Sequence, residues 1–193
     1  MKTARGLAAA ALFFLCANAY SRAVVVSLSS GLFFPKEKIY RDVYGQSLPL
    51  DLEIRLGIGR HFGLAAGLEF LSDTGRAFNV NQGEDDYPVR LRMVSFPASI
   101  YFLYPLAKVS LFLGVGLSYH SYEEKWESAA LSHNGEKTSL AAYTGAELRL
   151  SSRISARLAL RYESIEVEPA SVISTRINLG GISLLGGISF RLL

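Results

Sequence analysis

Strict alternation of apolar and polar residues is the feature that most limits what this chain can fold into. Residues 47–60 read SLPLDLEIRLGIGR, and every second side chain from Leu48 to Ile58 is apolar. Asp51, Glu53 and Arg55 lie between them. A period of two indicates a β-strand with one apolar and one charged face. The charged face could surround a soluble β-protein, or it could point into a barrel whose apolar face meets lipid.

The same alternation recurs along the chain and predicts eight strands. Their approximate positions are residues 24–33, 47–60, 62–71, 89–102, 109–120, 140–150, 156–163 and 182–192. In the fourth stretch, Leu91 and Met93 occupy one apolar phase, whereas Phe96 and the residues after it occupy the other. A change of phase within one strand predicts a β-bulge, here near Val94 and Ser95.

The connections between these strands alternate in length. Short turns follow the second, fourth and sixth strands, and long polar segments follow the others: Pro35–Gln46, Asp73–Pro88, Glu123–Thr138 and Glu166–Arg176. An even strand number with short turns at one end and long loops at the other is typical of membrane barrels. We therefore predict one domain, residues 20–193, that forms an all-β, eight-stranded antiparallel up-and-down transmembrane β-barrel.

The first 19 residues predict a cleaved signal peptide. Lys2 and Arg5 precede an apolar run, and Ala17 and Ala19 are small residues where a signal peptidase would cut. Removal of this segment lowers the net charge from +3 to +1, so the basic pI does not point to nucleic acid. The single cysteine, Cys16, lies inside the signal, which excludes disulfides and thiol chemistry from the mature chain.

The kind of charge on the polar faces predicts which face is enclosed. The lysines after the signal all fall in predicted loops or turns, so the cations on predicted strand faces are arginines. Arginine is favoured where a charge is enclosed and held by a carboxylate. We therefore predict a structural network of charges in the lumen, made of Asp51, Glu53, Arg55, Glu69, Arg90, Arg92, Glu147, Arg149, Arg157, Arg161, Glu163 and Arg191.

Glycines on the polar phase support the same orientation. They include Gly57, Gly67, Gly114 and Gly145, and inside a narrow barrel they would leave room for large neighbours. The alternative is a secreted barrel like a lipocalin, with a polar exterior and an apolar cavity. Both barrels alternate, but arginine without lysine on the strands favours charges inside and lipid outside.

The last strand, NLGGISLLGGISFRLL, completes a resemblance to a known family. With the signal and the hairpin-paired strands, it resembles the small eight-stranded outer-membrane β-barrels of Gram-negative bacteria, of the OmpA/OmpX-like type. Phe190 fits the aromatic pattern of such a final strand, although members commonly end on Phe and this chain ends on Leu193. The resemblance implies localisation to the outer membrane, contact with its lipid and lipopolysaccharide, and insertion by the barrel-assembly machinery.

Candidate sites for chemistry are few. His120 and Ser121 suggest a lipid A hydrolase, but adjacent strand residues point to opposite faces. The acidic run Glu84–Asp86 reads as a solvated loop, and Trp126 as exposed. The segment KIYRDVYGQ in the first long loop is most simply an ordinary ordered loop, and the alternatives are packing over the barrel mouth or contact with lipopolysaccharide phosphates. We expect no catalytic residue, metal or cofactor.

We expect a structural or surface-interaction role, with a surface partner that the sequence does not identify. A small porin-like channel is the first alternative, although side chains just fill the interior of a barrel of eight strands. A lipid A-modifying enzyme is the second.

Overall fold

The computed structural model describes residues 21–78, 86–126, 131–167 and 177–192. The predicted signal peptide lies outside these residues, as do Glu84 and Asp85 of the acidic run.

The predicted closed barrel of eight antiparallel strands is confirmed. Its strands are β1 (Ser21–Pro35), β2 (Leu50–Ile58), β3 (Phe62–Phe78), β4 (Asp86–Pro105), β5 (Val109–Trp126), β6 (Leu131–Arg149), β7 (Ile154–Glu163) and β10 (Gly181–Arg191). Each strand pairs with the next in the order of the chain, and β10 pairs with β1 to close the cylinder. Closure leaves no open sheet edge around the barrel.

Three further elements lie in the connections at one end. Helix α1 (Lys38–Tyr44) forms between β1 and β2, and the two-residue strands β8 (Glu166–Val167) and β9 (Ile177–Asn178) pair beyond β7. We call this the α1 end and the opposite one the short-turn end. No helix among the described residues is long and apolar enough to cross a membrane.

The alternation in the second strand has the predicted direction. Leu50, Leu52 and Ile54 are exposed on the outside, whereas Asp51 and Arg55 are buried. Leu56 is an exception, because it belongs to the outward phase and is nevertheless buried. Exposed apolar side chains follow the outward phase of the other seven barrel strands as well.

The predicted β-bulge near Val94 and Ser95 is wrong. The pairing of β4 with β5 runs without a shift through this region, so one phase of β4 faces inward along its whole length. Leu91 and Met93 are therefore inside, where they pack in an apolar cluster. The sequence pattern led to a wrong prediction because the barrel interior is itself apolar at the level of Leu91 and Met93.

Strands β3 to β6 continue well beyond the closed barrel. Pairing of β2 with β3 stops at Leu50 and Phe70, and pairing of β6 with β7 stops at Ala141 and Glu163. Pairing among β3, β4, β5 and β6 continues to Phe78 and to Leu131. The described residues of the predicted loops 73–88 and 123–138 are thus strand, and they form a protruding four-stranded sheet at the α1 end.

Candidate functional site: the barrel interior and the α1 end

Arg161 on β7 holds a cluster of carboxylates inside the barrel. Its guanidinium lies 3.3 Å from Asp51 and 3.8 Å from Glu163, and it also pairs with Glu69. All four side chains are buried. A single enclosed cation therefore faces three acids from β2, β3 and β7. Because these strands lie on different sides of the barrel, the acids meet their cation only when the barrel is closed.

A second group of charges lies nearer the short-turn end. Arg55 is 3.1 Å from Glu53 and also pairs with Glu147, while Arg157 pairs with the same Glu53. The Phe112 ring supports both cations, with its centroid 4.9 Å from Arg157 and 5.8 Å from Arg55. Arginine is suited to this position because it pairs with carboxylates and stacks on a ring at the same time.

The structure brings together most, but not all, of the residues predicted to share the lumen. Arg149 and Arg191 have the inward phase, yet they are exposed at the short-turn end. Arg90 and Arg92 lie on the outward phase of β4, so their assignment to the lumen is wrong. The cause is the missing bulge: β4 keeps one phase, and its arginines stay outside. The residues that do meet are Asp51, Glu53, Arg55, Glu69, Glu147, Arg157, Arg161 and Glu163.

The interior around these ion pairs is almost filled. The pocket bounded by Asp51, Glu53, Arg157 and Arg161 has a volume of about 20 Å³, which is space for about one water molecule. Inward glycines make this density possible. A Cβ at Gly114, for example, would lie 2.2 Å from the ring of Tyr143 on the neighbouring strand.

Helix α1 closes the barrel at the end opposite the short turns. Tyr40 is only 2% exposed and packs in an apolar cluster with wall residues of the barrel. The other members of this cluster are Phe33, Leu71, Leu91, Met93, Tyr122, Ile165 and Leu179. Of the alternatives considered for the KIYRDVYGQ segment, the structure shows packing over the mouth, with Tyr40 buried, Tyr44 partly buried and Arg41 exposed.

Hydrogen bonds fix α1 to the wall. The Tyr40 hydroxyl donates to Asp73 at 2.6 Å, and Ser47 donates to the same carboxylate. The Tyr44 hydroxyl donates to Glu124 at 2.7 Å. Burial raises the pKa of both tyrosines, and each neighbouring carboxylate raises it further. Both hydroxyls therefore stay protonated and keep donating across the physiological pH range.

His120 forms a separate polar group in the wall. Its Nδ1 lies 2.8 Å from the Ser95 hydroxyl and its Nε2 lies 2.8 Å from the Ser139 hydroxyl, and the side chain is fully buried. Ser121 is exposed on the opposite face, as strand geometry predicts. Trp126 at the end of β5 is half-buried, although it was expected to be exposed.

Two sets of contacts were missed by the sequence reasoning. The serines around His120 share its inward phase, but only the register of β4, β5 and β6 shows that they meet. The contact of Tyr40 with Asp73 joins a loop to a distant strand, and no periodicity encodes it. The two tyrosines of KIYRDVY, four residues apart, were the one available signal.

No protein-family model matches the sequence, and no curated protein matches it. Several solved structures match its fold. The outer membrane protein OprG from Pseudomonas aeruginosa has a TM-score of 0.67 at 9% identity, covering 90% of this chain and 97% of OprG. Neisserial surface protein A has a TM-score of 0.58 at 12% identity, covering 87% and 95%. The N-terminal barrel domain of Pseudomonas aeruginosa OprF has a TM-score of 0.56 at 11% identity, covering 89% and 98%. The resemblance predicted from the sequence is thereby confirmed as one of fold: this chain is built like the small eight-stranded barrels solved as outer-membrane proteins.

Proposed function

We propose that this protein is an integral outer-membrane barrel with a packed polar lumen, and that it acts through its exposed end rather than by conduction. The observation that carries the first part is the apolar exterior. Leu113, Val115, Ile100 and Leu158 are each more than half exposed, and they belong to a set that surrounds the barrel. Monomeric soluble proteins rarely expose a continuous apolar surface of this extent.

Membrane fractionation tests this assignment. The protein should remain in the outer-membrane fraction after a high-salt wash and should need detergent for extraction. It should also migrate differently on a gel before and after boiling, because a closed barrel resists unfolding by detergent. Recovery in the soluble periplasm without detergent would reject the proposal and favour the lipocalin-like alternative.

The protruding sheet supports a surface-interaction role. Residues 131–140 of β6 pair with β5 on one side and have no strand partner on the other among the described residues. Their outward side chains, including Asn134, Glu136 and Thr138, are exposed. With the long loops on the cell surface, as in membrane barrels generally, this sheet would stand above the lipid.

Shortening one hairpin tests the role of the protruding sheet. We would replace residues 125–132 by an Asn-Gly turn between the paired Glu124 and His133, which keeps Tyr122 and Glu124, and display both proteins on a non-adherent host. The shortened protein should keep its heat-dependent gel shift but lose retention on a panel of immobilised host proteins and polysaccharides. Equal retention of the two proteins on every surface that binds the complete chain would contradict a role for this sheet.

We also propose that the protein is not a lipid-modifying enzyme. His120 is enclosed between Ser95 and Ser139, and Ser121 faces the other side of the wall. A substrate has no access to a side chain with no exposed surface. Expression of the protein and of its His120→Ala variant should leave the mass spectrum of host lipid A unchanged. A new deacylated or acylated species made only by the unsubstituted protein would refute this.

A further inference from the structure

The short-turn end of the barrel carries exposed cations on four adjacent strands. Arg149 and Arg191 are the last residues of β6 and β10, and Lys108 and Arg153 directly precede β5 and β7. All four side chains are exposed. We call these four residues the cationic rim. The rim lies at the opposite end of the barrel from α1 and the protruding sheet.

Backbone hydrogen bonds place the members of the rim next to each other. The Arg149 N–H donates to the Lys108 carbonyl at 2.8 Å, and the Arg191 N–H donates to the Arg153 carbonyl at 2.8 Å. Neighbouring strands are about 4.8 Å apart, so four adjacent strands give the rim a length of about 15 Å. Like charges on neighbouring strands repel each other. A bound anion would therefore relieve repulsion that the folded barrel imposes.

No acid in the surrounding sequence compensates the rim. The turns at this end are residues 59–61, 106–108 and 150–153, and they contain no aspartate or glutamate. Glu147 is the nearest acid along β6, and it pairs with Arg55 in the buried layer. No ion pair among the described residues includes a member of the rim. A terminal carboxylate at Leu193, which lies outside the described residues, would balance only one of the four charges.

The strand phase directs the rim towards the barrel axis. Arg149 shares the inward phase of Glu147, and Arg191 shares that of the buried Ser189. The inward residue Ser155, opposite both Arg149 and Ser189, is small and partly exposed. The outward neighbours at the same level are exposed apolar residues: Leu148, Leu150, Ile154, Phe190 and Leu192. Lipid around the barrel thus meets apolar side chains, whereas the cations face the axial mouth.

We propose that the cationic rim docks an acidic peptide segment of a periplasmic protein across the short-turn mouth. An extended chain advances about 3.3 Å per residue, so about five residues of such a segment match the length of the rim. A single small anion is too short to reach all four cations. Arginine forks pair well with carboxylates, and complementary charge favours the encounter. The proposal rests on the outer-membrane location proposed above, because the short turns of membrane barrels face the periplasm.

Binding of a fluorescent hexaglutamate peptide tests this site. The complete protein is placed in phosphatidylcholine nanodiscs, which leave both ends accessible, and peptide binding is followed by fluorescence anisotropy at an ionic strength of about 0.15 M. Hexaglutamine is the uncharged control peptide. The heat-dependent gel shift shows that each variant is folded.

Two triple variants remove the same charge from opposite ends. The rim variant is Arg149→Gln/Arg153→Gln/Arg191→Gln. The matched control is Lys36→Gln/Lys38→Gln/Arg41→Gln, which changes exposed residues in and next to α1. We expect the rim variant to bind hexaglutamate roughly tenfold more weakly, because three exposed charge pairs together contribute about that factor. The control variant should bind as tightly as the unsubstituted protein, and hexaglutamine should not bind.

Each other outcome has a distinct meaning. No binding of hexaglutamate by the unsubstituted protein, equal loss in both variants, or equal binding of hexaglutamine would overturn the proposal. Loss of peptide binding in nanodiscs that contain phosphatidylglycerol would identify an anionic lipid surface as the occupant and would also overturn it. If the protein does not extract with the membrane, the proposed location fails. Normal extraction and gel shift with unchanged peptide binding by the rim variant would reject the rim site alone.

Discussion

At the scale of single residues, Arg161 has the largest predicted effect on stability. It is the only cation paired with Asp51 and Glu69 among the described ion pairs, and the two carboxylates are buried with it. Arg161→Met would leave these acids without their partner in an enclosed space. Removal of one member of a buried ion pair costs about 3–5 kcal/mol. We expect a loss of this size in the free energy of unfolding, measured by urea denaturation in phospholipid vesicles.

Arg149→Met is the matched control for Arg161→Met. Arg149 has the same inward phase, but it is exposed at the short-turn end and forms none of the buried pairs described above. A surface substitution of this kind should change the free energy of unfolding by about 0.5 kcal/mol or less. Equal effects of the two substitutions would show that water reaches both sites and that the lumen is not closed around Arg161.

At the scale of elements, the docking of α1 depends on a glycine in β3. A Cβ on Gly75 would lie 2.1 Å from the backbone oxygen of Val43, at the end of the helix. Gly75→Ala should therefore push α1 from the wall. Overpacking costs about 1–3 kcal/mol, and 1.4 kcal/mol changes an equilibrium tenfold. We expect trypsin to cleave after the exposed Arg41 roughly tenfold faster than in the unsubstituted protein.

Gly186→Ala provides the control for the docking of α1. Gly186 also lies in a barrel strand, but a Cβ there would meet nothing within 4 Å. Cleavage of the Gly186→Ala variant after Arg41 should be as fast as cleavage of the unsubstituted protein. Both glycine variants should keep the gel shift of a folded barrel. Unchanged cleavage in Gly75→Ala would mean that α1 adjusts without leaving the wall.

The elements also show how far the sequence determines the structure. Alternation in β2, β5 and β10 predicted the strands and the inward direction of Asp51 and Arg55, because a period of two is a local property. It failed in β4, where Leu91 and Met93 resemble lipid-facing residues but contact Tyr40 and its cluster. That contact depends on α1, which a polar loop sequence did not predict. The ion pairs needed the register between strands far apart in sequence, which alternation does not contain.

At the scale of the whole molecule, the loss of stability caused by an arginine on the apolar face should depend on its depth in the membrane. Ile54 lies on the outside of β2 midway along its exposed apolar row, and Leu48 lies beyond the start of that strand at the α1 end. Arginine on the lipid face costs about 2–4 kcal/mol at the membrane midplane and about 0–1 kcal/mol near the interface. Ile54→Arg should thus lower the free energy of unfolding in vesicles, as followed by the fluorescence of Trp126, far more than Leu48→Arg. Equal effects would place the apolar face against something other than lipid.

Two separate layers close the molecule along its axis, and they predict the result of conductance measurements. The Tyr40 cluster fills the α1 end, and in the layer below the ion pairs of Arg157 and Arg161 line a pocket of about 20 Å³. Removing α1 alone should not open a path, because the ion-pair layer remains. In planar bilayers, the complete protein and a variant with residues 37–45 replaced by a short Gly-Ser linker should both show no steady conductance. Conductance in the complete protein would refute a packed lumen, whereas conductance in the linker variant alone would make α1 the gate of a small channel.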